Sequence, residues 1–242
     1  MSTTLPPWRS VLAVVAHPDD ESFGLGALLS TFADAGATVS VLCFTRGEAS
    51  TLHGVDGDLS RIREGELRAA ASELGIRQVE LKSHPDGDLS GVELGTLVDD
   101  VRANLDAAEA DGVIVFDLDG VTGHPDHSRA SEAALVAAHE HRIPVLGWTV
   151  PADVATALNA EYGASFTGHE DSDVDVVVTV DRARQFKAVA CHPSQAVPGS
   201  VLWRRLALTG DREYLRHQPT DPDLLRVHTG EQAATTRKGQ RA

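Results

Sequence analysis

The feature that most constrains this chain is its alternation of short, valine-rich apolar runs with segments of helical periodicity. Val11 to Val15 and Thr38 to Phe44 are continuous apolar runs, the pattern of strands covered on both faces, as in a parallel sheet. Between them, Ser22 to Ala35 sets Phe23, Leu25, Ala27, Leu28, Leu29 and Phe32 on one broad face, and Gly36 stops the helix. The result is a βαβ unit. The pattern then repeats, with helical spacing over Arg61 to Leu74, a short strand over Val79 to Leu81, and helical spacing again from Leu94 to Leu105. Val113 to Phe116 and Val145 to Val150 read as strands around a helix from Pro125 to His141. Val174 to Val180 reads as a further strand, and helices are expected over Arg182 to Ala190 and Val201 to Arg216. The predicted fold class is therefore α/β, a Rossmann-like open, mostly parallel sheet flanked by helices on both faces. The length of 242 residues suits one domain, placed at 1–228, and the small, polar segment 229–242 is expected to be a disordered tail.

Such a sheet binds ligands at the carboxyl ends of its strands, where the winding direction reverses between the first and fourth. The residues after Val15 and after Phe116 should therefore face one another across a crevice. Those residues are AHPDDE at 16–21 and GHPDH at 123–127. His17 and Asp20 lie three apart around a turn that opens a helix, so an imidazole and a carboxylate can converge, with His127 supplying a third ligand from the facing loop. Three protein ligands leave an open position, where zinc can lower the pKa of a water to ~7. The same acids could be helix caps, since Asp19, Asp20 and Ser22 suit a helix start and Pro125 suits a first helical position. Capping gives no reason for three histidines and three aspartates at the two strand ends that the topology nominates.

Charge narrows the partners. With 21 basic against 36 acidic residues the net charge is −15, a field that repels phosphate backbones and anionic lipid, so neither nucleic acid nor a membrane is expected as a partner. The apolar runs are too short for a membrane span or a signal peptide, and a cytoplasmic location is expected. The two cysteines, Cys43 and Cys191, provide no disulfide framework and no thiolate zinc site. The oligomeric state, including a homo-oligomer, stays open.

AHPDDE and HPDH together resemble the two signatures of the PIG-L/LmbE-like zinc-dependent de-N-acetylases. TRGE at 45–48, RIREGELRAAASELG at 61–75, PDGDL at 85–89 and HPSQ at 192–195 extend the resemblance along most of the chain. The resemblance implies removal of acetyl from an N-acetylglucosaminyl-type small molecule, with one zinc per chain or another divalent metal such as Fe2+. By it His17, Asp20 and His127 correspond to the metal ligands and Asp19 to the general base. His124 corresponds to the group that stabilises the oxyanion or protonates the leaving amine, with Asp126 tuning its imidazolium. Thr122 stands where the mycothiol-pathway deacetylase carries a tyrosine. Glu48 is a candidate for a sugar hydroxyl and Arg63 for an anionic or hydroxyl-rich aglycone, Arg63 being equally readable as a solvated helix charge. Asp86 is either a substrate contact or a turn former, and His192, with Gln195, a pocket residue by resemblance or a structural histidine.

Other classes fare worse. Gly24-Leu-Gly26 lacks the third glycine of a dinucleotide fingerprint and begins inside the helix, while P-loop, GxSxG and HExxH motifs are missing. An amidase on a related thiol-sugar conjugate is the nearest alternative. A non-haem iron oxygenase would use a similar facial triad, but an HxD oxygenase is expected to be all-β. A non-catalytic metal or sugar binder leaves Asp19 and His124 without a task.

Overall fold

The computed structural model describes residues 1–52, 56–119 and 121–219, so the expected tail at 229–242 lies outside the described residues. Five parallel strands carry the chain as far as Thr149: β1 (Ser10–Val15), β2 (Thr38–Thr45), β3 (Gln78–His84), β4 (Gly112–Phe116) and β5 (Val145–Thr149). They are joined by α1 (Asp20–Phe23), α2 (Gly26–Asp34), α3 (Leu59–Leu74), α4 (Leu94–Ala108) and α5 (Pro125–His141). Then follow α6 (Ala152–Tyr162), β6 (Val176–Thr179), α7 (Ala183–Ala190), α8 (Val201–Thr209) and β7 (Arg212–His217). The sheet order is β3-β2-β1-β4-β5-β7-β6, with β7 antiparallel to both of its neighbours. Winding reverses between β1 and β4, as the sequence predicts.

The apolar runs are continuous because both faces of each strand are covered. Val11, Ala13 and Val15 of β1 enter one core, beneath α2, α3 and α7. Leu12 and Val14 enter the other, beneath α4 and α5. This period-2 division buries every apolar residue of β1 while leaving its carboxyl end free to turn into the crevice.

Three elements differ from the sequence reading. The helix expected over Ser22 to Ala35 is broken at Gly24, where a Cβ would lie 2.5 Å from Cζ of Phe116; a one-turn break hardly disturbs the apolar period, so periodicity cannot register it. The helix expected over Val201 to Arg216 ends at Thr209. After Gly210 at φ +58°, β7 begins, with Glu213 and Leu215 buried and Arg212 and Tyr214 more open. Helix α6 goes unread because its buried apolar residues, Val154, Ala155 and Leu158, are few.

Candidate active site

The crevice at the carboxyl ends of the strands is a cavity of about 780 Å3 whose lining includes His17, Asp19, Asp20, His124 and His127. The turn after β1 and the start of α5 meet there. Nε2 of His127 lies 3.1 Å from Oδ1 of Asp20 and 3.2 Å from Nδ1 of His17, which is 3.6 Å from the Asp20 carboxylate. Tetrahedral zinc with bonds of about 2.0–2.2 Å to nitrogen and oxygen sets its donor atoms roughly 3.4 Å apart, so the three side chains fit such an ion.

The outer atoms of these three side chains are also held. Nδ1 of His127 is 2.8 Å from the Thr122 hydroxyl. Nε2 of His17 is 3.1 Å from Asp86 and 3.3 Å from Asp126. Oδ2 of Asp20 accepts the backbone N–H groups of Ala16 and His17. Partners of this kind fix the tautomer and ring direction of metal-binding histidines. Burial opposes a charge on His17, but Asp126, Asp20 and Asp86 outweigh it and raise its pKa well above the ordinary histidine value. Burial likewise opposes ionisation of Asp20, yet the two histidines hold its pKa well below the carboxylate range. A nest this acidic favours a cation.

A second trio, His17, His124 and Asp126, also lies within ligand reach. Its carboxylate is already committed, because Asp126 accepts N–H bonds from Gly87 at 2.8 Å and Leu89 at 3.0 Å besides facing His17. A third, Asp117, Asp119 and His169, is occupied by Arg216, whose Nη1 is 3.0 Å from both oxygens of Asp117 and 2.7 Å from Nε2 of His169.

The PIG-L family, GlcNAc-PI de-N-acetylase, matches residues 12–138. The chain belongs to this family. A 1D-myo-inositol 2-acetamido-2-deoxy-alpha-D-glucopyranoside deacetylase of Kineococcus radiotolerans is 32% identical over 222 residues, covering 72% of this chain and 62% of the relative. The Streptomyces griseus protein of the same description is 33% identical over 191 residues, covering 68% and 60%. The chain thus spans about three fifths of the length of these curated relatives. Among solved structures, an A40926 pseudoaglycone deacetylase superposes with a TM-score of 0.67 at 21% identity, covering 86% of this chain and 96% of that one, a likeness of fold. Family members of the deacetylase kind are metal-dependent, and this PIG-L chain has the His and Asp donors to hold an ion.

Beside those donors, Asp19 stands at φ +140°, a backbone conformation rare for a residue with a side chain. Two contacts keep it there. Its N–H donates to Oε2 of Glu21 at 2.9 Å, and its Oδ2 accepts from Nη2 of Arg63 at 2.9 Å. It makes no side-chain cap to α1. Burial pushes the Asp19 carboxyl up to about 6, against the pull of Arg63; a dication nearby would pull it down again.

His124 does cap a helix, its Nδ1 accepting the N–H of Asp126 at 3.2 Å. That bond leaves the ring proton on Nε2. Burial, with the neighbouring His17 and His127, lowers its pKa, so the ring stays a neutral donor.

The structure redirects several residues that the sequence singled out. The Asp126 carboxylate faces His17 and the amides of the 87–89 turn and meets His124 through its backbone N–H, so it braces His17, while its charge also acts on His124, pulling that pKa up against the burial that lowers it. Arg63 is 3% exposed, not solvated, and its guanidinium also binds the carbonyls of Pro18 and Gly47, leaving it a clamp on Asp19 at the cavity wall. Gly47, at φ +65°, admits that guanidinium, which a Cβ would meet at 2.1 Å. His192 is fully buried, its Nε2 2.8 Å from Oε1 of Glu21, so it supports the Asp19 turn from beneath and lies off the cavity. Glu48 is exposed, accepts the N–H of Asp86 at 3.1 Å and lies outside the described lining. Asp86 lines the cavity and reaches His17, so it does more than form a turn.

Thr122 and Glu21 went unassigned in the sequence. The acid of PDDE was visible, but nothing in the spacing says that it turns inward to a histidine 171 residues away.

Proposed function

We propose that this chain hydrolyses the amide of an N-acetylglucosaminyl-type small molecule, releasing acetate and a free amine. One observation carries the reading: three side chains able to hold a metal ion, a carboxylate outside that set and a histidine whose Nδ1 is taken up by a helix cap, leaving its proton on Nε2, all line one cavity. The names of the relatives support the acetamido-sugar class. His17, Asp20 and His127 would hold a divalent ion, for which we assign zinc from the imidazole and carboxylate set without thiolate. When bound, the ion supplies Lewis acidity and lowers the pKa of a water.

The remaining steps belong to the chain. Asp19, held by Arg63, accepts the proton of the attacking water as it adds to the amide carbon. His124 donates from Nε2 to the oxygen on which negative charge develops, and its proximity to His17 and His127 discourages a second proton. As the C–N bond breaks, the proton on Asp19 passes to the departing nitrogen. Water thereby gives its oxygen to the acetate and both hydrogens to the products.

The test is amine release, followed with a primary-amine reagent, over N-acetylglucosaminides of different aglycones, with and without zinc and chelator. Amine formation that chelator abolishes and zinc restores is expected. Activity that persists in chelator, or oxygen consumption without amine, refutes the reading.

A further inference from the structure

A strained turn delivers the histidines of the second motif to the cavity. Between β4 and α5, Val121 stands at φ +56° and Gly123 at φ +77°. Glycine adopts such an angle freely, whereas a β-branched residue is an outlier there, and backbone strain of this kind persists only where the surroundings fix it. Between the two lies Thr122, whose hydroxyl is 2.8 Å from Nδ1 of His127 and accepts the N–H of His124 at 3.4 Å.

Three contacts hold Val121. Its side chain is fully buried, in the core cluster that also holds Val150, Val154 and Leu158. Its N–H donates to Oδ1 of Asp119 at 2.9 Å, and its carbonyl accepts the N–H of Thr167 at 2.8 Å. Neither Asp119 nor Thr167 belongs to the described lining of the cavity. The N–H fixes the peptide plane before Val121 and the carbonyl fixes the plane after it. Together they set its backbone angles, and with them the direction in which Thr122 leaves.

The segment that carries Thr167 is itself anchored. The Asn159 side chain on α6 accepts the N–H of Phe166 at 2.7 Å and donates to its carbonyl at 2.9 Å, and the N–H of His169 donates to the Val150 carbonyl at 3.0 Å. It presses on the turn as well, since a Cβ on Gly123 would lie 2.6 Å from the Ser165 carbonyl oxygen. The turn is therefore gripped from the β5 side by backbone and from its own chain by one carboxylate. Resting on the reading of His17, Asp20 and His127 as metal donors, we infer that the grip of Asp119 and Thr167 on the strained Val121 aims the Thr122 hydroxyl at His127. Asp119 is thus a positioning residue for a metal site that it does not touch.

Zinc affinity, read by competition against a fluorescent chelator at fixed pH, tests this. Removing the outer partner of a metal-binding histidine weakens binding about 10- to 100-fold, and loosening that partner should do less, so we expect Asp119→Ala to bind zinc about fivefold more weakly than the parent. Asp119→Asn keeps the accepting oxygen and loses only the charge, so it should stay within about twofold of the parent. In the Thr122→Val background the hydroxyl is gone, and there Asp119→Ala should weaken zinc binding by less than about twofold further, as for two changes that act through one contact.

The full loss repeated in that background would mean that Asp119 acts by another route than Thr122, and it overturns the inference. Zinc affinity of a folded Asp119→Ala within twofold of the parent overturns it too, as does an Asp119→Asn as weak as Asp119→Ala, which would assign the effect to charge. A parent chain that binds no zinc refutes the metal-site reading along with it. Hydrogen exchange on the unaltered chain decides should Asp119→Ala fail to fold. Coupling between two sites is reciprocal, so zinc should slow the Val121 amide at least about fivefold more than the Ala155 amide at the start of α6; equal slowing of the two overturns the inference.

Discussion

Replacing Thr122 with valine removes one atom that matters and almost nothing else. The threonine hydroxyl is 2.8 Å from Nδ1 of His127, and that contact holds the Nδ1–H tautomer, keeping the Nε2 lone pair aimed at the point shared with His17 and Asp20. Valine matches threonine in shape and β-branching, so packing is nearly unchanged. A neutral hydrogen bond contributes about 0.5–1.5 kcal/mol, and losing the outer partner of a metal-binding histidine typically lowers affinity about 10- to 100-fold. Here the Phe116 ring, 4.5 Å from His127, still confines the imidazole, which places the effect at the lower end. We expect about tenfold weaker zinc binding, equivalent to ~1.4 kcal/mol. Competition against a fluorescent chelator at fixed pH reads this directly. Thr122→Ser, which keeps the hydroxyl, should bind zinc like the parent, and saturating zinc should return most of the Thr122→Val amine-releasing activity. Zinc affinity within twofold of the parent in a folded Thr122→Val would refute the claim that this hydroxyl orients the ligand.

The acids of the first motif should separate. Asp19→Asn should keep its zinc and lose at least about 100-fold in turnover, the scale of a removed general base, whereas Asp20→Asn should lose zinc and be partly rescued by adding it; metal stoichiometry and amine release with and without excess zinc check both. His124→Ala should retain zinc and lose about 100-fold or more in kcat with a smaller change in KM, as for a removed oxyanion donor; an emptied site would make His124 a ligand. His192→Phe takes the imidazole from the fully buried Glu21, leaving it the Asp19 N–H and the Ser22 hydroxyl, and breaking a buried pair by removing one partner costs about 3–5 kcal/mol. Its thermal midpoint should fall by roughly 10 °C, and a fall of less than about 2 °C would refute the claim that His192 supports the turn through Glu21.

The sequence by itself determined the layered α/β order and the place of the crevice, because strand and helix periods are local and a sheet buried on both faces writes its core as continuous apolar runs. Val11 to Val15 and Val113 to Phe116 could therefore be set side by side, and AHPDDE and HPDH aimed at one another, from spacing alone. Local pattern failed where a residue's neighbour is remote in the chain. The break at Gly24 answers to the Phe116 ring, and β7 takes its place from the exposed edge of β5. For side-chain roles the tertiary structure decided nearly everything beyond the three donors. An aspartate does not carry in its sequence context whether it will meet His124 or His17, and Asp126 meets His17 because the amides of Gly87 and Leu89 turn its carboxylate that way. Arg63 becomes a clamp, and His192 a buried support, because long polar side chains go wherever unpaired polar atoms await them, and only the closed fold brings Pro18, Gly47, Asp19 and Glu21 to those places.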